Sequence, residues 1–182
     1  LLISVPNTIL SNKNFFDRKN DLFFSGSLGY EHSQRKNFIL GLLKKNIILE
    51  LRSRDIRGKN KYIDKISNFS LFKNFFSKSY LNEINKNPLY GVELYNYMAN
   101  YKFILNSHSN FDKDAAINSR VFESLSQKCL LFSDKNNKVN EYFTNGESII
   151  IYKNIEDLVE KINFFKKNNL DLLIGSRYLK KS

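Results

Sequence analysis

Lys102-Phe-Ile-Leu-Asn106 and Cys129-Leu-Leu-Phe-Ser133 are two short apolar runs, and the stretch of chain that they bound decides the fold. A polar loop follows the first run as far as Ile117, and apolar residues such as Val121 and Leu125 then recur at helical spacing. Alternation of apolar strands with amphipathic helices is typical of a parallel sheet, because parallel strands need a crossover connection. The stretch therefore predicts a strand, a helix and a second strand of an α/β domain.

The same alternation extends in both directions from this stretch. Asp21 to Gly26 predicts a strand that ends in a glycine turn, a helix follows from near Arg35, and Ile47 to Leu51 predicts the next strand. Further along the chain, the predicted elements are a helix at Val92 to Asn100, a short helix at Val139 to Phe143, a strand at Ser148 to Tyr152 and a strongly periodic helix at Ile155 to Lys167. We predict an α/β fold with a Rossmann-like, mainly parallel sheet and helices on both faces.

The length of the chain suits one domain. A chain of 182 residues can bury one good core but is short for two complete α/β domains, so we treat residues 1–182 as a single domain. The chain opens with the apolar residues Leu1 to Val5 rather than with Met, and this start resembles an interior strand. We therefore expect a preceding segment, which makes this chain a fragment. The aromatic residues between Arg57 and Asn87 fit a buried helical stripe without clear ends.

The composition of the chain limits the cellular compartments and the classes of binding partner that we expect. Cys129 is the one cysteine, which excludes an internal disulfide and fits a reducing compartment. No apolar stretch approaches the roughly 18 to 20 residues that cross a bilayer, and no signal peptide opens the chain, so we expect a cytoplasmic protein. The net charge of +11 suits nucleic acid, an anionic membrane face or a phosphate-bearing substrate. The lysines are nevertheless spread along the chain without a zinc-finger or RNP-like motif, which favours a solvated surface over nucleic-acid binding.

The first candidate site follows the strand that ends at Gly26. In an open parallel sheet, ligands bind beyond the carboxyl ends of the strands. Gly26-Ser-Leu-Gly29 allows close approach of the backbone, and the following helix offers free N–H groups that suit a phosphate. The turn lacks the third glycine of the dinucleotide fingerprint and the Lys-Ser/Thr of a P-loop, so an ordinary turn with Arg35 on the surface is the alternative.

The second candidate site follows the strand that ends at Asn106. The polar loop Asn106-Ser-His-Ser-Asn leads to Asn118-Ser-Arg-Val-Phe-Glu, in which Arg120 and Glu123 are three residues apart on one helix face. A guanidinium can grip a diphosphate by forked hydrogen bonds, and a carboxylate can hold ribose hydroxyls. The alternative is an Arg–Glu pair that only supports its helix.

These blocks also carry a family resemblance. Tyr101-Lys-Phe-Ile-Leu-Asn, Asn118-Ser-Arg-Val-Phe-Glu-Ser-Leu, Leu130-Leu-Phe-Ser-Asp, Glu141-Tyr-Phe-Thr-Asn-Gly-Glu-Ser-Ile-Ile-Ile-Tyr and Ile155-Glu-Asp-Leu-Val-Glu-Lys-Ile occur in that order. The sequence resembles the C-terminal domain of CgeB-like, family-1-type glycosyltransferases, most firmly over residues 101–167 and loosely from Phe23 to Leu43. It departs from that pattern at Gln127-Lys-Cys129, where the family has a small residue and a glycine. A rival within the same fold is the group related to protein O-glucosyltransferases, which the context of Glu123 disfavours.

The resemblance implies the C-terminal half of a GT-B fold, a nucleotide-sugar donor as substrate, no other cofactor and no obligatory metal. It implies that Glu123 holds the donor ribose and that Arg120 and Asn118 line the donor pocket. The remaining positions that it implies are Asn106 at the strand edge and Gly26, Ser27 and Arg35 facing the diphosphate.

Three further features have competing interpretations. Asp112-Lys-Asp114 has the Asp-x-Asp form that binds a metal and a sugar diphosphate in GT-A enzymes, but a solvated loop is the favoured interpretation. His108 follows the central strand and is a candidate catalytic residue with Arg120, either hydrogen-bonded to the donor or acting as a base; a structural histidine is the alternative. His32 has a weaker claim, and the chain's two His and one Cys are too few for a zinc site.

The leading hypothesis is therefore transfer of a sugar from a nucleotide-sugar to a glycan, protein or lipid acceptor, with a missing N-terminal domain presenting the acceptor. The alternative is a non-catalytic α/β domain that binds a nucleotide or an anionic polymer. Nucleic-acid binding is a third hypothesis, which predicts steeply salt-dependent affinity and no role for Glu123. The positive charge also leaves open a peripheral contact with an anionic membrane.

Overall fold

The computed structural model describes residues 13–28, 30–53, 86–108, 117–147 and 149–168. Within these ranges, five strands form one sheet with the order β2-β1-β3-β4-β5, and every neighbouring pair is parallel. The strands are β1 (Lys19–Ser25), β2 (Leu49–Arg52), β3 (Tyr101–Asn106), β4 (Leu130–Asp134) and β5 (Ile150–Tyr152). Strands β1, β3 and β4 each have a run of apolar residues before their polar ends, because both of their faces are covered.

Among the described residues, five helices lie on the two faces of the sheet. They are α1 (Ser33–Lys44), α2 (Gly91–Met98), α3 (Ser119–Ser126), α4 (Asn137–Tyr142) and α5 (Ile155–Asn168). Successive strand residues point to opposite faces, so Phe24 packs with α1 and α5, whereas Phe23 packs with α2, α3 and α4. The predicted Rossmann-like α/β fold, with a parallel sheet and helices on both faces, is confirmed.

The strand order places a topological switch point between β1 and β3. The chain runs from β1 outwards to β2 and then crosses back to β3, so the connections that leave β1 and β3 go to opposite sides of the sheet. In open α/β sheets a crevice opens at this point, beyond the carboxyl ends of the two strands. These ends are Ser25 and Asn106, which the sequence had marked as the places to look for a site.

The predicted elements agree with the structure, with small shifts at their ends. Helix α1 begins at Ser33, two residues before Arg35, because a 3-10 turn at Tyr30–His32 leads directly into it. Strand β5 is shorter than predicted, at Ile150–Tyr152. Gly29, the Asp-x-Asp pair at Asp112 and Asp114, the carboxyl-terminal residues 169–182 and nearly all of the aromatic stretch from Arg57 to Asn87 lie outside the described residues.

The turn from α3 to β4 contains Gln127-Lys-Cys129, where the sequence departs from the family resemblance. Lys128 has a φ of 56°, in the left-handed region that favours glycine. Its N–H donates to the carbonyl of Leu125 and the N–H of Cys129 donates to that of Ser124, which closes the helix in a Schellman-type turn. The Arg18 guanidinium donates to the carbonyl of Gln127 at 2.7 Å. A lysine thus occupies a backbone conformation that glycine adopts more readily, and hydrogen bonds hold the turn in place.

Cys129 follows this turn and is buried. Only 2% of its surface is exposed, and burial raises the pKa of its thiol to about 12. The residue packs with Tyr101 and Leu131 in the apolar core on the α2 side of the sheet. The thiol is therefore part of the core, where it acts as a small apolar side chain.

Candidate functional site

Strands β3 and β4 end side by side and bring His108 next to Asp134. Asn106 and Ser133 are paired in the sheet register, so the residues after them leave the sheet together. The Asp134 carboxylate accepts two hydrogen bonds from His108, from the backbone N–H at 2.8 Å and from the ring nitrogen Nδ1 at 2.6 Å. The His108 side chain is 8% exposed and that of Asp134 is 28% exposed. The ring of His108 is thus fixed by a carboxylate at the carboxyl edge of the sheet.

A chain of amides and hydroxyls lies beside this pair. The amide of Asn118 donates to Asn106 Oδ1 at 2.7 Å, and the amide of Asn106 donates to Ser133 Oγ at 3.0 Å. The Tyr152 hydroxyl donates to the backbone carbonyl of Asn106 at 2.9 Å. Asn106, Ser133 and Tyr152 are all buried. The loop residue Asn118 is therefore tied to the end of β3 across the polar loop that separates them in sequence.

Arg35 approaches the same edge from helix α1. Its guanidinium donates to the carbonyl of Ser27 at 3.1 Å. A Cβ added at Gly26 would lie 3.0 Å from the ring of Phe24 and 3.8 Å from Arg35 Nη1, so a side chain at position 26 would crowd the ring and contact the guanidinium. Burial lowers the pKa of Arg35, while the negative charge of Asp134 acts in the opposite direction. We call Arg35, Asn106, His108, Asn118, Ser133 and Asp134 the carboxyl-edge cluster.

Arg120 and Glu123 contact each other as the sequence predicted, with a distance of 2.5 Å from Arg120 Nη1 to Glu123 Oε2. Their side chains are 18% and 13% exposed. The guanidinium also contacts the sulfur of Met98 at 3.7 Å. Burial lowers the pKa of Arg120, and the charges of Glu123 and Tyr95 oppose that effect. The pair therefore lies against helix α2, and the contacts described for it do not join it to Arg35 or His108.

Several buried polar atoms of the expected site have unused hydrogen-bonding capacity. Among the described residues, Arg35 Nε, His108 Nε2, Asn118 Oδ1 and Arg120 Nε are buried without a hydrogen-bond partner. Arg18 Nε and His32 Nδ1 share this property elsewhere in the fold. Buried polar groups are nearly always paired in proteins, so several exceptions among the residues of the expected site call for an explanation. A bound ligand is one such explanation.

The sequence interpretation missed three members of this region. The sequence pattern indicates only that Asp134 ends a strand and that Ser133 and Tyr152 belong to strands. A polar pair at the end of an otherwise apolar strand was the available signal for Ser133 and Asp134, because polar residues at that edge face the crevice. Tyr152 carried no such signal, since its hydroxyl finds Asn106 only through the sheet order.

Clusters of metal ligands and membrane-spanning helices are two further features that bear on function. In the described part of the chain, no group of three or more His, Cys, Asp or Glu side chains is placed to hold a metal ion. Within the same residues, no helix is long and apolar enough to cross a membrane.

Comparisons with known proteins agree with this architecture. A sequence model of the family described as "Glycosyl transferase-like" matches residues 50–175, which is more than half of the chain. A solved structure described as "Crystal structure of GtfA/B complex" has a similar fold, with a TM-score of 0.56 and 12% sequence identity over 90% of this chain. The present chain spans 32% of that protein's length. A comparison with curated proteins gives no match. The predicted glycosyltransferase resemblance is confirmed: the chain belongs to the glycosyl transferase-like family and has the Rossmann-like architecture of a GT-B glycosyltransferase domain.

Proposed function

We propose that this domain binds the nucleotide-sugar donor of a glycosyltransferase and presents the sugar to an acceptor held by a second domain. The observation that supports the proposal is the carboxyl-edge cluster at the switch point of the sheet. Arg35, His108 and Asn118 each contribute a buried atom with unused hydrogen-bonding capacity to this cluster. A donor has phosphates and many hydroxyl groups, and it can satisfy both the donors and the acceptors among these atoms.

The diphosphate of the donor is assigned to the Arg35 side of the cluster. Arg35 provides a fixed positive charge beside the turn at Gly26 and Ser27, and the backbone at Gly26 has no side chain to block an approaching phosphate. Helix α1 begins close by at Ser33, and its first N–H groups favour negative charge. Such an arrangement stabilises the leaving diphosphate as charge develops on it, and the proposal includes no obligatory metal.

Glu123 is assigned to the ribose of the donor, as the family resemblance implies. One of its oxygens is held by Arg120, which fixes the position of the carboxylate before a ligand arrives. An ionised carboxylate can accept about four hydrogen bonds, so the pairing leaves capacity for ribose hydroxyls. In this proposal Arg120 orients Glu123 and adds positive charge to the donor pocket.

Binding measurements on the chain test this proposal directly. UDP, GDP, ADP and their sugar nucleotides are titrated by calorimetry against the wild type, Glu123→Ala and Glu141→Ala. Glu141 is the matched control, because it forms an exposed i,i+3 pair with Lys138 at 3.3 Å, whereas Glu123 forms a buried i,i+3 pair with Arg120. We expect saturable binding of one nucleotide, weakened at least roughly tenfold by Glu123→Ala and unchanged by Glu141→Ala.

The alternative functions give different results in the same experiment. A folded wild-type chain that binds none of these nucleotides contradicts the proposal. Binding of nucleic acid with affinity that falls steeply with salt, and that does not depend on Glu123, would favour the anionic-polymer alternative. Equal losses in Glu123→Ala and Glu141→Ala would show that the effect does not come from a donor site.

A further inference from the structure

The buried atoms without partners at the carboxyl-edge cluster differ in hydrogen-bonding character. Asn118 Oδ1 is an acceptor, and Arg35 Nε carries a hydrogen and is a donor. The character of His108 Nε2 depends on which ring nitrogen carries the hydrogen of the neutral imidazole. The position of that hydrogen therefore decides what kind of ligand group this part of the site can accept.

Asp134 decides the tautomer of His108. A carboxylate only accepts hydrogen bonds, and the Asp134 oxygens lie 2.8 Å from the backbone nitrogen of His108 and 2.6 Å from its Nδ1. The hydrogen of the neutral ring must therefore lie on Nδ1. The amide nitrogen of Asn106 is 3.4 Å from the same Nδ1, which is a much longer contact than the one of 2.6 Å to Asp134. His108 Nε2 is consequently left with a free lone pair.

The side chains that carry the two acceptors, Asn118 and His108, contact the same amide group of Asn106. Asn118 is bonded to Asn106 Oδ1, and His108 Nδ1 lies next to Asn106 Nδ2. Both contacts are made to Asn106 at the end of β3, which the sheet register pairs with Ser133 of β4. Acceptors on two side chains that share this contact repel a phosphate oxygen and attract groups that donate hydrogen bonds.

We infer that Asp134 is a positioning residue that holds His108 Nε2, together with Asn118 Oδ1, as an acceptor for hydroxyl groups of the donor sugar. This inference rests on the proposed function, and it assigns the sugar end and the phosphate end of the donor to different residues. The sugar hydroxyls are bound at His108 and Asn118, and the phosphates are bound at Arg35. Asp134 thereby selects a polyhydroxylated group over an anionic one at this point.

The first part of the test measures the tautomer and needs no ligand. His32→Gln leaves His108 as the chain's one histidine, because the sequence has two. Ring nitrogen shifts measured by 15N NMR at about pH 8.5, where ordinary histidines are neutral, report which nitrogen carries the hydrogen. We expect a protonated Nδ1 in this background. With Asp134→Asn added, the amide oxygen stays on the His108 backbone N–H, the amide NH2 then faces Nδ1, and the ring hydrogen moves to Nε2.

The second part measures what the tautomer selects. The sugar nucleotide that the wild type binds, among UDP-glucose, GDP-mannose and ADP-glucose, is titrated in parallel with its nucleoside diphosphate. We expect Asp134→Asn to weaken binding of the sugar nucleotide roughly tenfold and not to weaken binding of the diphosphate, because the lost carboxylate charge acts on Arg35. Asp17→Asn, the same exchange at an exposed position before β1, is the matched control and should change neither.

The outcomes separate this inference from the proposed function. A hydrogen on Nε2 in the wild-type ring, or a tautomer that Asp134→Asn does not change, overturns the role of Asp134. Equal weakening of both ligands, or a diphosphate that binds while no sugar nucleotide does, overturns the hydroxyl site alone. Absence of all nucleotide binding overturns the proposed function and this inference with it. If Asp134→Asn does not fold, His108→Phe replaces it in the titrations, with the same selective loss expected.

Discussion

Two partly buried polar clusters flank this sheet, and they differ in how completely their atoms are paired. In the Glu50 network, made of Glu50, Arg52, Lys86 and Tyr97, one carboxylate oxygen accepts from Arg52 at 3.0 Å and from Tyr97 at 2.8 Å. The other oxygen accepts from Lys86 at 2.6 Å, and Arg52 also donates to the Tyr97 hydroxyl at 2.7 Å. The carboxyl-edge cluster, in contrast, keeps buried atoms without partners on Arg35, His108 and Asn118.

This difference separates a structural network from a binding site. A fully paired network stabilises the fold, because each of its charges finds a partner inside the protein. Unpaired buried atoms cost free energy in the unliganded protein, and a ligand that pairs them recovers that cost. The Glu50 network should therefore control unfolding and leave binding unchanged, whereas the carboxyl-edge cluster should control binding and have a smaller effect on unfolding.

Removal of the central carboxylate should have the largest effect on stability. Glu50→Ala leaves Arg52 and Lys86 without their shared anion, and we expect a loss of about 2 kcal/mol in the free energy of unfolding. The value lies below that for a fully buried pair because the Lys86 side chain is 37% exposed. Urea unfolding measures the loss, and Glu141→Ala is the exposed control. If Glu50→Ala lost no more stability than the control, or weakened nucleotide binding at unchanged stability, the Glu50 network would not differ from the carboxyl-edge cluster in the way proposed.

Substitution at the carboxyl edge should show the opposite pattern. Asn118→Ala removes an acceptor that we assign to the donor sugar, and we expect roughly tenfold weaker binding of the sugar nucleotide, which corresponds to about 1.4 kcal/mol. The free energy of unfolding should fall by only about 1 kcal/mol, because one hydrogen bond to Asn106 is lost while an unpaired oxygen also disappears. Calorimetry and urea unfolding on the same samples provide both values. A stability loss larger than that of Glu50→Ala would contradict this assignment.

The turn after α3 should allow stability to rise without a change in binding. Lys128→Gly relieves a left-handed backbone conformation, and we expect a gain of roughly 0.5 to 1 kcal/mol after the extra chain entropy of glycine is subtracted. Asn46 is the matched position after α1, with a φ of 57° and the same type of turn. Asn tolerates this conformation better than Lys, so Asn46→Gly should gain less. Thermal and urea unfolding compare the two variants, and an equal or larger gain at Asn46 would contradict the argument.

The smallest predicted effect is a dependence of stability on acid. Burial acts to raise the pKa of Glu50, but hydrogen bonds from Lys86 and Tyr97 outweigh it and lower that pKa below its ordinary value of 4.5. The ionised network therefore contributes stability that is complete above about pH 4.5 and is lost as the pH falls through the lowered value. Unfolding of the wild type and Glu50→Gln from pH 7 to 3 should show a smaller acid-induced loss in the variant. Parallel pH profiles would exclude this contribution.

Much of the fold followed from local pattern, and the site followed only in part. Strands such as Tyr101–Asn106 and helices such as Ile155–Asn168 were predictable, because burial on one or two faces leaves a direct trace in apolar spacing. The pairing of Arg120 with Glu123 was predictable for the same reason, since helical spacing fixes it. The contact of His108 with Asp134 was not, because it depends on which strands are neighbours in the sheet. Sequence spacing holds little information about strand order.

The burial of Cys129 makes the rate of its modification by thiol reagents a measure of local opening of the core. The thiol is the chain's one cysteine, and thiol reagents attack the thiolate, which is scarce when the pKa is about 12 and the sulfur is covered. Modification must then wait for the core around β4 to open. If closing is faster than the reaction, the labelling rate measures the free energy of that opening. The labelling rate of Cys129 can therefore show, with no engineered cysteine, whether a bound nucleotide stabilises strand β4, which leads to the carboxyl-edge cluster.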